Sequence, residues 1–473
     1  MRDKITLIKG DKVSSGSDFL EADYRDALLV NMYAVNRNIL GAQGYILDYP
    51  GLTEFGVGSG IDRASNYNER FNLHFRVSGT KFISVDSSGT VTELGDVPGT
   101  KQLRMPYSFN TQAIIGEGKM FLYDPVNGFR EVTDPDLGNV IDGDWINGYY
   151  FLTDGENVYH TDITNESAID PLKFATSEFA PDPTLGISKT QDNLIIVWNR
   201  YSIEYFEDRS TTNFAFRRLE SRAQKIGIVA THAKVEEGGI FYIVGGSKND
   251  SVSVYTVGLG STAKIASREI DKIISKYSES EMSDIRLESR TENNVTFILV
   301  HLPEETLCYN ATTGGIFGSE SGWSILKTDV LGDNTYRAIN GSFDPRISKW
   351  IYGDKIDSRL GVLDNDVRTH YGEIVESIFY TPVVNMERMS VDEIEIETIP
   401  GHHISEDATV AMSLTYDGIN YTSEYWNLYS TPYDYGKRFI LRELGYVDSN
   451  LGFKFRTAST ARMAFSLMSL EYN

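Results

Sequence analysis

Seven histidines, one cysteine and scattered carboxylates are the groups with which this 473-residue chain could do chemistry. His402 and His403 are adjacent, so on a strand they point to opposite faces and make a poor metal pair. His301 stands in an apolar run that ends at Pro303 and reads as a satisfied structural residue. Cys308 is the sole cysteine, which leaves no partner for an intramolecular disulfide and no cysteine-based zinc site. Asp134, Asp136, Asp142 and Asp144 crowd one stretch with oxygens of the kind Ca²⁺ takes, although a solvated loop is the favoured reading. No His-Glu-x-x-His, Walker A or nucleophile-elbow pattern occurs. The expectation is a protein without catalytic, cofactor-binding or metal-binding residues. Two basic pairs, Arg217-Arg218 and Lys437-Arg438, are the candidates for contact with acidic neighbours.

The bulk properties narrow the class further. The formal charge is −23, from 67 acidic and 44 basic residues. A protein that grips nucleic acid draws most of its affinity from neutralising phosphates, so broad DNA binding is excluded while passage of DNA along an acidic wall is not. Apolar residues make up 41%, enough for a buried core. No run of about 18 apolar residues occurs, so no membrane anchor is expected. The first residues lack the apolar stretch and cleavage site of a signal peptide.

Aromatic and glycine content, with 28 Tyr, 23 Phe and 41 Gly, favours strands joined by tight turns. Asn193 to Phe206 shows the repeating unit: an apolar run, a polar turn at Asn199-Arg200, and a mixed aromatic strand. Comparable hairpins lie at 71–85, 120–132, 149–159, 240–257, 295–309 and 350–363. Their spacing of roughly 35–55 residues is that of four-stranded propeller blades. We therefore expect an all-β chain: residues 1–60 joining a β-propeller at 61–365, and an antiparallel β-sandwich at 366–473. About seven blades fit, with six as the alternative count, and a pair of β-sandwiches as the alternative architecture. One short helix interrupts the pattern. Ile270, Ile273, Ile274 and Tyr277 form an amphipathic stripe behind Ser267 as N-cap, and a second short helix starts near Ser278. In the last segment Glu393-Ile394-Glu395-Ile396-Glu397 alternates strictly, with one face buried and one acidic.

Some propellers cleave glycosides. Ser84 to Val91 resembles the Asp-box turn of sialidases, but it carries one extra residue and lacks the closing aromatic. A carbohydrate-binding or glycoside-cleaving propeller is therefore the alternative function.

A further set of residues, in order along nearly the whole chain, resembles the packaged-DNA stabilisation proteins, or tail hub factors, of short-tailed phages (podoviruses). They include Ala22-Asp23-Tyr24, Val30-Asn31-Met32, Ile39-Leu40 and Pro50-Gly51 at the start. In the middle are Ser202-Ile-Glu-Tyr-Phe206, Ile270-x-Lys272-Ile-Ile274, His301-Leu-Pro303, Trp323 and Gly353-Asp-Lys355. Asp417-Gly-Ile-Asn-Tyr421, Lys437-Arg438 and Gly452-Phe-Lys454 follow. The resemblance thins between about residues 80 and 180. It implies a non-enzymatic virion tail component, made in the host cytoplasm, that forms a ring of six copies. The ring would extend the channel below the portal and its adaptor, hold the tail needle and tailspikes, and retain packaged DNA without reading its sequence. Copies this acidic must pair opposite charges where they meet, which is why the two basic pairs stand out.

Overall fold

The computed structural model describes residues 2–7, 28–37, 44–210, 214–258, 260–332, 334–386, 388–398 and 407–473. His402, His403, Ala22-Asp23-Tyr24 and Ile39-Leu40 lie outside the described residues.

Each hairpin expected from the sequence is the middle of a sheet. Leu194–Asn199 and Ile203–Asp208 pair antiparallel, with Thr184–Lys189 on the inner side and Phe216–Arg218 on the outer. The middle strands are apolar on both faces because each sheet packs between two neighbours; Ile195, Val197 and Trp198 are fully buried. Seven such sheets follow one another among the described residues. Blade 1 begins at Asp62–Asn68, blade 2 at Gln112–Gly116, blade 3 at Asp142–Ile146 and blade 4 at Thr184–Lys189. Blade 5 begins with Gly227–Ile228 and Lys234–Glu237, blade 6 with Arg286–Glu292 and blade 7 with Ala338–Asp344. The inner strand of blade 7 lies beside that of blade 1, so the ring closes. The outer strand of blade 7, Gly51–Val57, comes from the start of the chain and pairs with Arg359–Asp364.

Recurring hairpin turns have a common chemistry. In Asp124-Pro-Val-Asn127, Asp154-Gly-Glu-Asn157 and Asp417-Gly-Ile-Asn420 the aspartate accepts hydrogen bonds from the amides two and three residues on. This Asx geometry replaces ladder bonds that the turn cannot make. Burial is the largest single effect on the Asp124 carboxyl and raises it, but the Asn127 and Val126 amides, the Arg130 guanidinium and the Asn127 side chain together outweigh it and hold the group at about 2. Asp86, in the turn that resembles an Asp-box, does the same for Ser88 and Thr90.

The predicted helix is Arg268–Ile274, with the Ser267 side chain accepting from the Ile270 amide and Ile270, Ile273 and Ile274 buried. Glu279–Met282 follows behind a capping box of Ser278 and Glu281. Both pack between blades 5 and 6. A third helix, Ala311–Phe317, has Asn310 as its cap. Among the described residues no helix is long and apolar enough to cross a membrane.

The β-sandwich follows. Its one sheet contains Ser377–Tyr380, Asn450–Thr457, Ala408–Thr415 and Tyr425–Ser430. The other contains Phe439–Val447, Met389–Thr398 and Ala464–Tyr472, joined by Arg2–Thr6, Met32–Val35 and Tyr45–Asp48 from the start of the chain. Ile394 and Ile396 point into the core, as the alternation predicts. The two bodies are continuous. Leu29–Val30 pairs with Trp323–Leu326 of blade 6 on one side and with Ser377–Tyr380 of the sandwich on the other, making one ten-stranded sheet.

Candidate functional site: an axial charge network and an outer-edge cleft

Inner strands of a propeller point side chains at its axis, and here those side chains are charged and buried. Arg76 donates to Asp62 at 2.7 Å, and Asn340 from blade 7 donates to the other Asp62 oxygen at 2.8 Å. Glu288 of blade 6 accepts from the backbone amides of Asn340 and Gly341 and lies 3.3 Å from His301 and 3.4 Å from Arg286. Across the axis, Lys234 of blade 5 donates to Asp142 of blade 3 at 2.7 Å, and the Ile187 amide donates to the same oxygen at 2.8 Å. Arg104 approaches Asp142 and Asp144, each at 3.5 Å. Six blades thereby contribute to one polar plug, blade 4 through a backbone amide. Gly186 makes room for it, because a Cβ there would sit 2.5 Å from the Lys234 nitrogen and 2.8 Å from the Asp142 carboxylate.

Burial sets the protonation states. It acts to raise the Glu288 carboxyl, but His301, Arg286 and the Gly341 amide outweigh it and hold the group at about 2. Burial, with Lys355 adding, pushes His301 down to about 4; burial, with Arg337 adding, pushes His370 down to about 3. An unfolded histidine titrates near 6.5, so between about pH 6.5 and 4 the unfolded chain takes up protons that the folded chain refuses. Stability contributed by neutral His301 is complete above pH 6.5 and declines as pH falls towards 4, by about 3 kcal/mol in total. Thermal melting at pH 7, 5.5 and 4.5 should show this decline, and His301→Gln should make it shallower.

The acidic stretch does not converge. Asp134 caps the turn Pro135–Leu137 and receives the Ile169 amide, while Asp142 is committed to Lys234. Among the described residues no group of three or more His, Cys, Asp or Glu side chains is placed to hold a metal ion.

The basic pairs fall on the outside. Arg438 makes a two-toothed pair with Glu395 on the neighbouring strand, and Arg442 meets Glu393 at 2.9 Å. The acidic face of the alternating strand is thus matched within the chain. Lys437 is half-buried beside it. An exposed pair of this kind contributes little, so Arg438→Ala should leave the urea midpoint almost unchanged. Arg217 and Arg218 line a cleft of about 730 Å³ between the outer edges of blades 3 and 4. Arg218 faces Glu204 at 3.4 Å, with Glu178 and Glu220 just beyond. Arg217 is exposed and makes no ion pair among the described residues. Arg209 also lines this cleft; the sequence reading passed over it because it stands apart from the pair.

A family model described as Bacteriophage P22 Gp10, beta-propeller, matches residues 3–368, and a second described as Bacteriophage P22 Gp10, beta-sandwich, matches residues 376–473. The chain belongs to this family of phage stabilisation proteins. Tail hub protein gp10 of Salmonella phage P22 is 29% identical over 480 residues, covering 98% of each chain. The chain is a gp10-like phage structural protein. Among solved structures, the N-terminal domain of Nup159 is similar at 11% identity and a TM-score of 0.39, over 66% of this chain and 94% of that one. Virginiamycin B lyase from Staphylococcus aureus is similar at 7% identity and a TM-score of 0.42, over 66% of this chain and 98% of that one.

Several family-resembling residues have structural work in this fold. Gly51 packs so closely on residues 367–369 that a Cβ would lie 2.5 Å from the Thr369 carbonyl. Asn31 bridges the bodies, donating to the carbonyls of Lys327 and Glu376 at 3.0 and 2.7 Å. Trp323 donates to the Ile265 carbonyl and fixes the helix segment against blade 6.

Proposed function

We propose that this chain is the ring-forming hub of a short-tailed phage tail. In this reading copies of it extend the portal-adaptor channel, hold the tail needle and tailspikes, and keep packaged DNA from escaping. The observation that carries the reading is the match of both bodies, end to end, to a tail hub protein. Two physical features support it. The propeller axis is filled by the network around Asp62, Asp142 and Glu288, so DNA has no route through a single copy and must pass between copies. The charge of −23 leaves no broad surface for gripping phosphates, which suits a wall along which DNA slides. Those same axial carboxylates are engaged by buried cations or amides, which favours a structural role over sugar cleavage.

The test is made on particles. Phage assembled without this chain should package DNA and then lose it, and purified chain added before loss should restore retention and co-sediment with the particles. Particles that lack the chain yet keep their DNA would overturn the reading.

A further inference from the structure

Arg76, Lys234, Arg337 and Arg368 are buried cations, and each meets a carboxylate within 3.2 Å. Arg290 is a buried cation of another kind. It stands on the inner strand of blade 6 and is fully buried, and its Nε, Nη1 and Nη2 atoms make no hydrogen bond among the described residues. The nearest carboxylate, Glu292, is 4.0 Å from Nη1 and 26% exposed, and it accepts from the Asn365 side chain at 2.5 Å. A guanidinium carries five N–H donors and no acceptor, and a charge taken out of water without partners is costly.

The surroundings of this guanidinium are aromatic. Its carbon lies 4.6 Å from the ring of Phe297, its cross-strand partner, and 4.9 Å from that of Tyr49. Ring faces attract a cation, which offsets part of the lost hydration and leaves the N–H donors unused. The hydroxyls of Tyr49 and Tyr336 are also buried without a hydrogen bond, and burial keeps both phenols neutral. Their rings meet edge to face at 5.9 Å. Tyr49 comes from the start of the chain, just before the outer strand of blade 7, and Tyr336 leads into the inner strand of that blade. Three parts of the chain thus bring unused donors and one unbalanced positive charge to the seam where the ring closes.

We propose that Arg290, with the hydroxyls of Tyr49 and Tyr336, binds a chloride ion between blade 6, blade 7 and the N-terminal segment. One negative charge balances one guanidinium, and N–H and O–H groups are the donors an anion takes. A divalent oxyanion would bring a second negative charge beside Glu292, and an interior packed with Leu299, Cys308 and Leu363 favours a single atom over a larger ion. The ion is a structural ligand that ties the start of the chain to the last two blades. The site stands on these residues alone and does not depend on the hub reading.

Thermal melting of the full chain in sodium chloride, sodium bromide and sodium gluconate at equal ionic strength tests it. Chloride at about ten times its dissociation constant should raise the melting temperature by about 2 °C over gluconate, and bromide should act in the same direction. Arg290→Met keeps most of the side-chain bulk and removes the cation, so it should melt alike in all three salts. Crystals of the wild-type chain grown in bromide give a reading that does not depend on how the variant folds: an anomalous peak should lie against the Arg290 nitrogens. Equal melting of the wild type in chloride and gluconate, a chloride shift that survives in Arg290→Met, or bromide crystals with only water at Arg290 would each overturn the site.

Discussion

Replacing Asp142 with asparagine is expected to destabilise the chain by about 3–5 kcal/mol. The substitution keeps the shape of the axial plug and removes one charge, leaving Lys234 fully buried beside a neutral amide. Burial already pulls the Lys234 ammonium below its ordinary range, and Asp142 is the principal group opposing that pull. Without it, the cheapest escape is to lose the proton. Carrying a lysine from about 10.4 to neutrality at pH 7 costs about 4–5 kcal/mol, which caps the damage. The cap gives the effect a signature. In the variant, folded Lys234 has a depressed pKa, so the unfolded state binds more protons and stability relative to wild type improves as pH rises towards 10. Urea unfolding of both proteins at pH 7, 8 and 9 reads this directly. Lys234→Met should be milder, because Asp142 keeps the Ile187 amide at 2.8 Å and Arg104 at 3.5 Å.

How much of this was legible beforehand follows from where each strand sits. Middle strands such as Leu194–Asn199 are buried on both faces, and burial writes an unmistakable apolar run. Inner and outer strands write less. Asp62–Asn68 reads Asp-Arg-Ala-Ser-Asn-Tyr-Asn and looks like a loop, yet it lines the axis, where polar side chains satisfy one another. Ala311–Phe317 holds Gly314 and Gly315, poor helix formers, and is held by the Asn310 cap and by packing that no local window contains. The strands before residue 50 are short, and three of the four (Arg2–Thr6, Leu29–Val30 and Tyr45–Asp48) find partners more than 290 residues away, so local pattern says nothing of where they go. Hence hairpins and the two β bodies were readable, whereas the exchange of strands between chain ends was not.

The site divides the same way. Arg217-Arg218 is visible as a doublet, but the cleft it lines exists only once blades 3 and 4 stand side by side. Lys234 lies in Ala-Lys-Val-Glu-Glu, which reads as a half-exposed strand, and its partner is 92 residues away. An ion pair across a propeller axis leaves no trace in spacing.

The junction between propeller and sandwich should be equally sensitive, with the opposite dependence on pH. Arg368 is buried just beyond the last blade. It donates to Thr457 and the Ser459 carbonyl at 2.8 and 2.9 Å and to Ser377 at 2.6 Å, and lies 3.2 Å from Asp48. Asp48 in turn accepts the Met463 amide at 2.7 Å. One guanidinium thus ties the end of the propeller to three strands of the sandwich sheets. Arg368→Met fills the space but strands the Asp48 carboxylate, whose pKa burial already raises and Arg368 restrains. Protonating a buried carboxyl at pH 7 costs about 4 kcal/mol, and the orphaned Ser459 carbonyl adds about 1–3 kcal/mol. A loss of about 4–6 kcal/mol is expected, below the simple sum because the vacated face can relax. In the variant, folded Asp48 has a raised pKa, so the folded state holds a proton that the unfolded state releases. The deficit relative to wild type should therefore shrink as pH falls from 7 to 5, where the Asp142→Asn deficit shrinks as pH rises. Calorimetry should also show the sandwich transition moving away from that of the propeller, because the ties that remain, chiefly the ten-stranded sheet, the Asn31 bridge and the Lys327–Glu376 ion pair, couple the two bodies less tightly. A single transition with a pH-independent deficit would show that Arg368 contributes packing and not charge.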